Sequence, residues 1–89
     1  MNKEIGFIGC GNMASAMIGG IIKSKIFKPE EIVASDAGEE VVRNAAANLR
    51  IETTTDNKYV ARQSKVVVLA VKPIYYSAVI EEIAHVIKE

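Results

Sequence analysis

The 89-residue chain has the composition of a small globular domain, with 49% apolar and 25% charged residues. Its 11 basic and 11 acidic residues give a net charge of zero, which argues against nucleic acid or an anionic membrane as a partner. No apolar run approaches the roughly 20 residues of a membrane span. The single cysteine, Cys10, cannot form an internal disulfide, which favours a reducing, cytoplasmic setting.

Apolar runs that end at turn residues alternate along the chain with longer stretches of helical periodicity. The unbroken Val and Leu run near residue 68 predicts a strand covered on both faces, as in a parallel sheet. In the last helix, Ile80, Ile83, Ala84 and Ile87 share one face at i, i+3, i+4, i+7 spacing. The predicted strands are 5–8, 32–34, 51–54 and 65–71, and the predicted helices are 12–23, 39–48, 56–63 and one around 80–87, with Thr55 or Asp56 as N-cap of the third helix.

Strands that alternate with helices require a parallel sheet with right-handed crossovers. We therefore predict an α/β, Rossmann-type parallel sheet with helices on both faces and strand order 3-2-1-4. A doubly wound dinucleotide fold has two such halves, and the chain provides strands for only the first. We interpret residues 1–89 as a truncated dinucleotide-binding domain; a small complete natural domain is the alternative.

A glycine loop, Gly9-Cys10-Gly11-Asn12-Met13-Ala14, joins the first predicted strand to the first helix. It matches the G-x-G-x-x-G/A pattern in the context that this motif requires. Gly9 would permit the tight turn, Gly11 would let the backbone approach a pyrophosphate, and Ala14 would let the helix lie close to the sheet. The free N–H groups at the start of the helix would hold the phosphates. The alternative is a glycine turn without a ligand.

The remaining reactive side chains carry no clear chemistry. Cys10 lies at a helix N-terminus, where a thiol can become reactive, but it has no nearby partner in sequence and is interpreted as a small residue filling a turn. His85, beside Glu81 and Glu82, is interpreted as a surface residue. No spacing of ligand residues predicts a metal site.

The second predicted strand ends at Ser35-Asp36, where a carboxylate usually binds the adenosine ribose and selects NAD. A basic residue there would instead accept the 2′-phosphate of NADP. Asp36 could equally be the N-cap of the next helix, with its side chain on a backbone N–H. Both roles stay open from the sequence.

Three segments together resemble pyrroline-5-carboxylate reductase: the stretch 6–13 with its G-x-G-N-M sequence, residues 56–58, and the strand end Leu69-Ala70-Val71-Lys72-Pro73. The resemblance covers essentially the whole chain and corresponds to the family's N-terminal, cofactor-binding domain. It implies an NAD(P)H-dependent oxidoreductase that reduces the imine 1-pyrroline-5-carboxylate to proline in proline biosynthesis. It also implies NADP(H) as the preferred cofactor, with NAD(H) possible, although Asp36 stands where the family often has Ser, Thr or Asn.

The resemblance implies cofactor contacts from the glycine loop, the end of the second strand, the start of the third helix and the end of the fourth strand. Without it, Lys72 and Pro73 would be interpreted as a solvated lysine and a strand stop. The predicted cofactor-binding residues are Ile8, Gly9, Cys10, Gly11, Asn12, Met13, Ser35, Asp36, Asn57, Ala70, Val71, Lys72 and Pro73.

The family's substrate site lies in a C-terminal helical dimerisation domain, which is absent from this chain. The catalytic residues are therefore unknown, the isolated chain is expected to bind cofactor without turnover, and the full-length parent is expected to be a homo-oligomer. Two alternatives remain: a related hydroxyacid or phosphogluconate dehydrogenase, against which the Ala-Val-Lys-Pro stretch counts, and a non-catalytic dinucleotide-binding module.

Overall fold

The computed structural model describes residues 3–86, which form one four-stranded sheet covered by helices. Two short 3₁₀ turns, at Pro29–Glu31 and Pro73–Tyr75, lead into the second strand and the last helix. The elements in chain order are β1 (Lys3–Ile8), α1 (Asn12–Lys23), β2 (Ile32–Ser35), α2 (Glu39–Leu49), β3 (Glu52–Thr54), α3 (Asn57–Gln63), β4 (Ser64–Leu69) and α4 (Tyr76–Ile83).

The strands lie in the order β3-β2-β1-β4, and all three pairings are parallel. In the centre, Ile5 of β1 pairs with Ile32 of β2 on one side and with Val66 of β4 on the other. The predicted parallel sheet and its strand order are confirmed. Because parallel strands end at the same edge of a sheet, the loops after β1, β2 and β4 are brought together.

The sheet has an apolar core on each face, which confirms the prediction of helices on both sides. On one face, Phe7 of β1 and Ala34 of β2 pack in a cluster with Ala14 and Ile18 of α1. On the other face, the neighbouring strand residues Ile8 and Val33 pack with α3 and α4. Successive strand residues point to opposite faces, so this alternation along β1 and β2 divides the core in two.

Gly6 in the middle of β1 lets α3 approach the sheet closely. A Cβ on Gly6 would lie 2.6 Å from Cγ1 of Val60 in α3 and would also meet the side chain of Ser64. Real Cβ atoms do not approach that closely, so only glycine fits here without movement of α3. Ala14, for which the glycine-loop motif predicts close packing of helix and sheet, is also buried.

The prediction that both faces of the fourth strand are covered holds only towards its carboxyl end, where Val68 packs against the core on one face and Val67 and Leu69 pack against the core on the other. Within the described residues β4 is an edge strand, and Val66 is 56% exposed. The strand also ends at Leu69, so Ala70 and Val71 lie in the loop that follows. An unbroken apolar run therefore indicates a strand that contacts other elements on both faces, but it does not show how much of each side chain is covered.

The apolar face of α4 also differs from the predicted one. Val79 and Ile83 are buried, whereas Ile80 is 52% exposed and Ala84 is exposed. The helix packs on α3 and the sheet through the 79/83 pair, which has i, i+4 spacing. Ile87, the last residue of the predicted stripe, lies outside the described residues.

The start of α3 follows a simple capping rule. Asp56 is the N-cap of α3, and its carboxylate accepts a hydrogen bond from the backbone N–H of Lys58 at 3.0 Å, as predicted.

The exposed position predicted for His85 is confirmed. Among residues 3–86, no helix has the length and apolarity needed to cross a membrane.

Candidate functional site

A cleft of about 600 Å³ lies at the carboxyl ends of β1 and β4, bounded on one side by α4. This is the edge of a parallel sheet where ligands of such folds bind. Its walls come from the glycine loop, the end of β2, the start of α3, the loop after β4, and α4. The lining residues are Ile8, Gly9, Gly11, Asp36, Ala37, Asn57, Ala70, Val71, Lys72, Tyr75, Ala78, Val79 and Glu82.

The turn at Gly9 holds the glycine loop against both neighbouring strands. Gly9 has a φ of +108°, which side chains rarely adopt, and a Cβ there would lie 2.7 Å from the backbone oxygen of Ala70. The N–H of Gly9 donates to the backbone oxygen of Ser35 at 2.6 Å. The N–H of Ala70 donates to the backbone oxygen of Ile8 at 2.8 Å. The tight-turn role predicted for Gly9 therefore follows from packing and backbone conformation together.

Gly11 differs from Gly9, because nothing in the fold itself requires glycine there. It has an ordinary φ of −74°, and among the described residues no atom lies within 4 Å of a Cβ built on it. Gly11 is the N-cap of α1, makes no side-chain capping bond, and is followed by a first turn without acidic residues. The first turn of α1 therefore has no side-chain cap, and backbone N–H groups of this kind can bind an anion.

Asp36 connects the end of β2 to the glycine loop. Its carboxylate accepts one hydrogen bond from the N–H of Cys10 and one from the N–H of Gly38, both at 3.1 Å. The N-cap of α2 is Gly38, so the capping alternative for Asp36 is wrong in position, although the side chain does bind a backbone N–H. Asp36 is half-buried and lines the cleft. Its carboxylate therefore stabilises the glycine loop and also lies beside the space in which a ligand can bind.

Three side chains form a hydrogen-bonded chain along the side of the cleft. The buried hydroxyl of Ser35 lies 2.6 Å from Oδ1 of Asn57, and Nδ2 of Asn57 lies 3.0 Å from Oε1 of Glu82. The chain links β2, α3 and α4. A buried hydroxyl requires a hydrogen-bond partner, and here Ser35 finds it in the first residue of α3.

Cys10 points away from the cleft into the core shared with α1 and α2. Burial raises the pKa of its thiol to about 11, and the negative charge of Asp36 acts in the same direction. A thiol with so high a pKa is protonated at neutral pH and is a poor nucleophile. The structure agrees with the interpretation of Cys10 as a small buried residue that fills a turn.

The structure brings eight of the thirteen predicted residues to the cleft: Ile8, Gly9, Gly11, Asp36, Asn57, Ala70, Val71 and Lys72. The other five do not line it. Cys10 and Ser35 are buried beside it, Met13 is 66% exposed on α1, and Asn12 and Pro73 are exposed at element starts. For these five, any contact with a ligand would have to come from the backbone or from outside the cleft.

Sequence reasoning missed the wall formed by α4 and its preceding turn. Tyr75, Ala78, Val79 and Glu82 line the cleft at i, i+3, i+4, i+7 spacing. This helical pattern was present in the sequence, but Ala and Glu made it less apolar than the stripe that contains Ile80. Ala37, in the loop after β2, was also missed.

The charged groups of the cleft are two carboxylates, Asp36 and Glu82, and one ammonium group, that of Lys72. Within residues 3–86 no group of three or more His, Cys, Asp or Glu side chains is arranged to hold a metal ion. The arrangement offers backbone donors for an anion at one end and side-chain acceptors for hydroxyl groups at the end of β2.

A parallel sheet whose first strand turns through a glycine loop into a helix, with an open cleft at the strand ends, defines a Rossmann-type dinucleotide-binding domain. The chain belongs to the family described as NADP oxidoreductase, coenzyme F420-dependent, whose model matches residues 4–89.

Relatives and solved structures agree with this assignment. The chain is 44% identical over 82 residues to a pyrroline-5-carboxylate reductase of Methanosarcina acetivorans, covering 92% of this chain and 30% of the relative. The solved structure of a pyrroline-5-carboxylate reductase of Coxiella burnetii superposes with a TM-score of 0.90 and 32% sequence identity. The match covers all of this chain and 33% of the Coxiella burnetii chain. The pyrroline carboxylate reductase of Plasmodium falciparum with NADP bound matches 92% of this chain and 29% of its own, with a TM-score of 0.76 and 29% identity.

The chain thus spans about 30% of the length of these proteins. It is similar to their dinucleotide-binding part, and the comparisons concern that part only. The resemblance inferred from the motifs is confirmed at this level.

Proposed function

We propose that this chain is the cofactor-binding part of an NAD(P)H-dependent reductase that converts 1-pyrroline-5-carboxylate to L-proline, in proline biosynthesis. The proposal is supported by the similarity of essentially the whole chain to proteins named pyrroline-5-carboxylate reductase. It is also supported by the motifs at 6–13 and 69–73. The remaining two thirds of such a protein would supply the substrate site, a helical dimerisation domain and a homo-oligomeric assembly.

The observation that carries the cofactor role is the space at Gly11. A side chain would fit the fold there, yet the position is glycine and opens onto uncapped N–H groups of α1. A pyrophosphate placed against these groups explains why a Cβ is absent. The residues present therefore fit a dinucleotide.

A bound NAD(P)H supplies the hydride; the chain's own residues bind and orient it. The loop 9–13 would hold the pyrophosphate, Asp36 and Asn57 would lie beside the adenosine ribose, and Ala70 to Pro73 would pass the nicotinamide ribose. The backbone around Ala70, anchored on Ile8, would give this last contact a rigid base. These roles follow the chain order of contacts in a Rossmann-type site.

NADP(H) is the proposed physiological cofactor, because the family description names NADP and the Plasmodium falciparum protein binds it. NAD(H) is the alternative, because Asp36 places a carboxylate beside the expected position of the adenosine ribose. The proposed setting is the cytoplasm, in keeping with a buried, reduced Cys10.

Fluorescence titration of the 89-residue chain with NADPH and NADH tests the cofactor role. We expect saturable binding of at least one of them, and loss of detectable binding in Gly11→Val, because the branched side chain would occupy the place of the pyrophosphate. Gly20→Val is the matched control, since a Cβ there is also unobstructed and Gly20 lies outside the cleft. Absence of binding to either dinucleotide, or unchanged affinity in a folded Gly11→Val variant, contradicts the proposal.

The reaction itself is tested on the longest natural protein that contains this sequence. In one assay, the oxidation of NADPH or NADH is followed with 1-pyrroline-5-carboxylate as substrate. In a second assay, the reduction of NADP+ or NAD+ is followed with 3-hydroxy acids or 6-phosphogluconate as substrate. Turnover of the imine alone supports the reductase. Turnover of a hydroxy acid instead favours the dehydrogenase alternative, and binding without any turnover favours a dinucleotide-binding module.

A further inference from the structure

Asn57 is held from both sides by side chains of other elements. Ser35 contacts Oδ1 at 2.6 Å, and Glu82 contacts Nδ2 at 3.0 Å. Asn57 and Glu82 both line the cleft, whereas Ser35 is fully buried behind them. Glu82 lies on α4 and has no role among the proposed cofactor contacts.

The two partners of Asn57 are not equivalent. A serine hydroxyl can donate to an amide oxygen or accept from an amide nitrogen, so Ser35 is compatible with either orientation of the amide. An ionised carboxylate only accepts, so Glu82 requires that Nδ2 face it. Glu82 therefore decides the orientation of the Asn57 amide, and Ser35 follows by donating to Oδ1.

This orientation determines what Asn57 offers to a ligand. Both hydrogens of the amide are on Nδ2, and one is used by Glu82. Among residues 3–86, no second acceptor for Nδ2 is described, so one N–H remains available at the wall of the cleft. With the amide reversed, Asn57 would present only an acceptor oxygen at the same place.

We propose that Glu82 is a positioning residue that makes Asn57 a hydrogen-bond donor to an acceptor oxygen at the adenosine-ribose end of the dinucleotide. Asn57 lies beside the end of β2, through Ser35, which is where the ribose binds in folds of this class. The acceptor is the ribose 2′-oxygen in NADH or an oxygen of the 2′-phosphate in NADPH. The inference rests on the proposed dinucleotide-binding function.

Three variants of the 89-residue chain separate positioning from charge. Glu82→Ala removes the acceptor, Glu82→Gln keeps an acceptor oxygen and removes the charge, and Glu81→Ala is the control on the neighbouring exposed residue outside the cleft. Each is titrated with NADH and with NADPH at constant salt, and the melting temperature is recorded without ligand. Because residues 81 and 82 are both exposed, all three variants are expected to fold.

We expect Glu82→Ala to weaken binding about two- to tenfold, the size expected for one hydrogen bond, with little change in melting temperature. Glu82→Gln should bind NADH within about twofold of the wild type, because its amide oxygen can still accept from Nδ2, and Glu81→Ala should not change binding. Weakening with NADH alone identifies the ribose oxygen as the acceptor, and weakening with NADPH alone identifies the phosphate.

A double-mutant cycle tests whether Glu82 acts through Asn57. In an Asn57→Ala background, Glu82→Ala should have no further effect on affinity, since the amide it positions is gone. The proposal is overturned if Glu82→Ala binds like the wild type, if Glu82→Gln is as weak as Glu82→Ala, or if the effect of Glu82→Ala persists without Asn57. Failure of the wild type to bind either dinucleotide would instead overturn the proposed function as well.

Discussion

The two ends of the sheet are built differently. At the amino end, polar side chains close the structure: the ammonium of Lys3 lies 3.1 Å from Oε1 of Glu52 and donates to the backbone oxygen of Glu30, and the hydroxyl of Tyr59 donates to Oε2 of Glu52. At the carboxyl end the backbone of the glycine loop borders an open cleft. The comparison teaches that side chains join the elements at both ends, but at the carboxyl end these bonds surround a cleft that a ligand can enter.

The largest expected effect concerns Gly6, where the packed part of the sheet has no room. Gly6→Val should lower the free energy of unfolding by about 3 kcal/mol or more, because the side chain would enter the space of Val60 and Ser64. The matched change at the open end, Gly11→Val, should cost at most about 1 kcal/mol, from the poorer N-cap. Urea unfolding followed by circular dichroism measures both.

A Gly6→Val variant as stable as the wild type would show that α3 can move away from β1 without cost. A Gly11→Val variant as unstable as Gly6→Val would show that the glycine loop is needed for folding, and the contrast between the packed sheet and the open carboxyl end would then be wrong.

At the carboxyl end, Asp36 should act on ligand choice more than on stability. Asp36→Ser removes a negative charge beside the expected position of the ribose, so it should favour NADPH over NADH by about 1–3 kcal/mol relative to the wild type. The measurement is the ratio of the two dissociation constants at fixed salt, with Glu40→Ser, on an exposed turn of α2, as control. A ratio that moves less than about twofold would leave Asp36 with only its bonds to Cys10 and Gly38.

High pH should weaken the carboxyl end through Cys10. Burial, assisted by Asp36, raises the pKa of this thiol from 9.0 to about 11. The associated stability is fully present below pH 9 and is lost as the pH rises through about 11, because the unfolded chain releases the proton first. Thermal melts between pH 8 and the alkaline limit should therefore show a steeper decline for the wild type than for Cys10→Ala. Parallel curves would contradict this.

Low pH should weaken the amino end, with the smallest effect of the four. The hydrogen bond from Tyr59 lowers the pKa of the Glu52 carboxyl, and Lys3 adds to this. The contribution is present above the ordinary glutamate pKa of 4.5 and is lost as the pH falls through the lower value in the folded chain. Melts from neutral pH downwards should show less acid sensitivity in Glu52→Gln than in the wild type or in Glu81→Gln. Equal sensitivity would place the acid-labile group elsewhere.

Local signals were sufficient for most of the fold. Helix α1 has the predicted bounds, Asp56 caps α3 as expected, and strand alternation with helices gave the strand order. These features depend on residues close in sequence or on general rules of connection. The exposure of Val66 in β4 and of Ile80 in α4 could not be predicted in the same way, because burial depends on which elements cover each side chain in the fold.

In the candidate site, too, the features set by local sequence were predictable and the contacts between distant residues were not. The glycine loop and the cleft residues after β4 could be placed from motifs. The bonds of Asp36 to the Cys10 N–H, and of Asn57 to Glu82, join residues more than 20 positions apart. No spacing rule predicts them, because they depend on side-chain geometry where three elements meet.

The strand order has a consequence for how the chain assembles. β1 is made first and lies between two neighbours, but its pairing with β4 joins Lys3 to Ser64, across most of the chain. During synthesis, the central strand must wait with one edge unsatisfied until that distant partner has left the ribosome. Contacts between such distant residues slow folding, so the glycine loop that follows β1 becomes a finished binding surface only after β4 has been synthesised and has paired with β1.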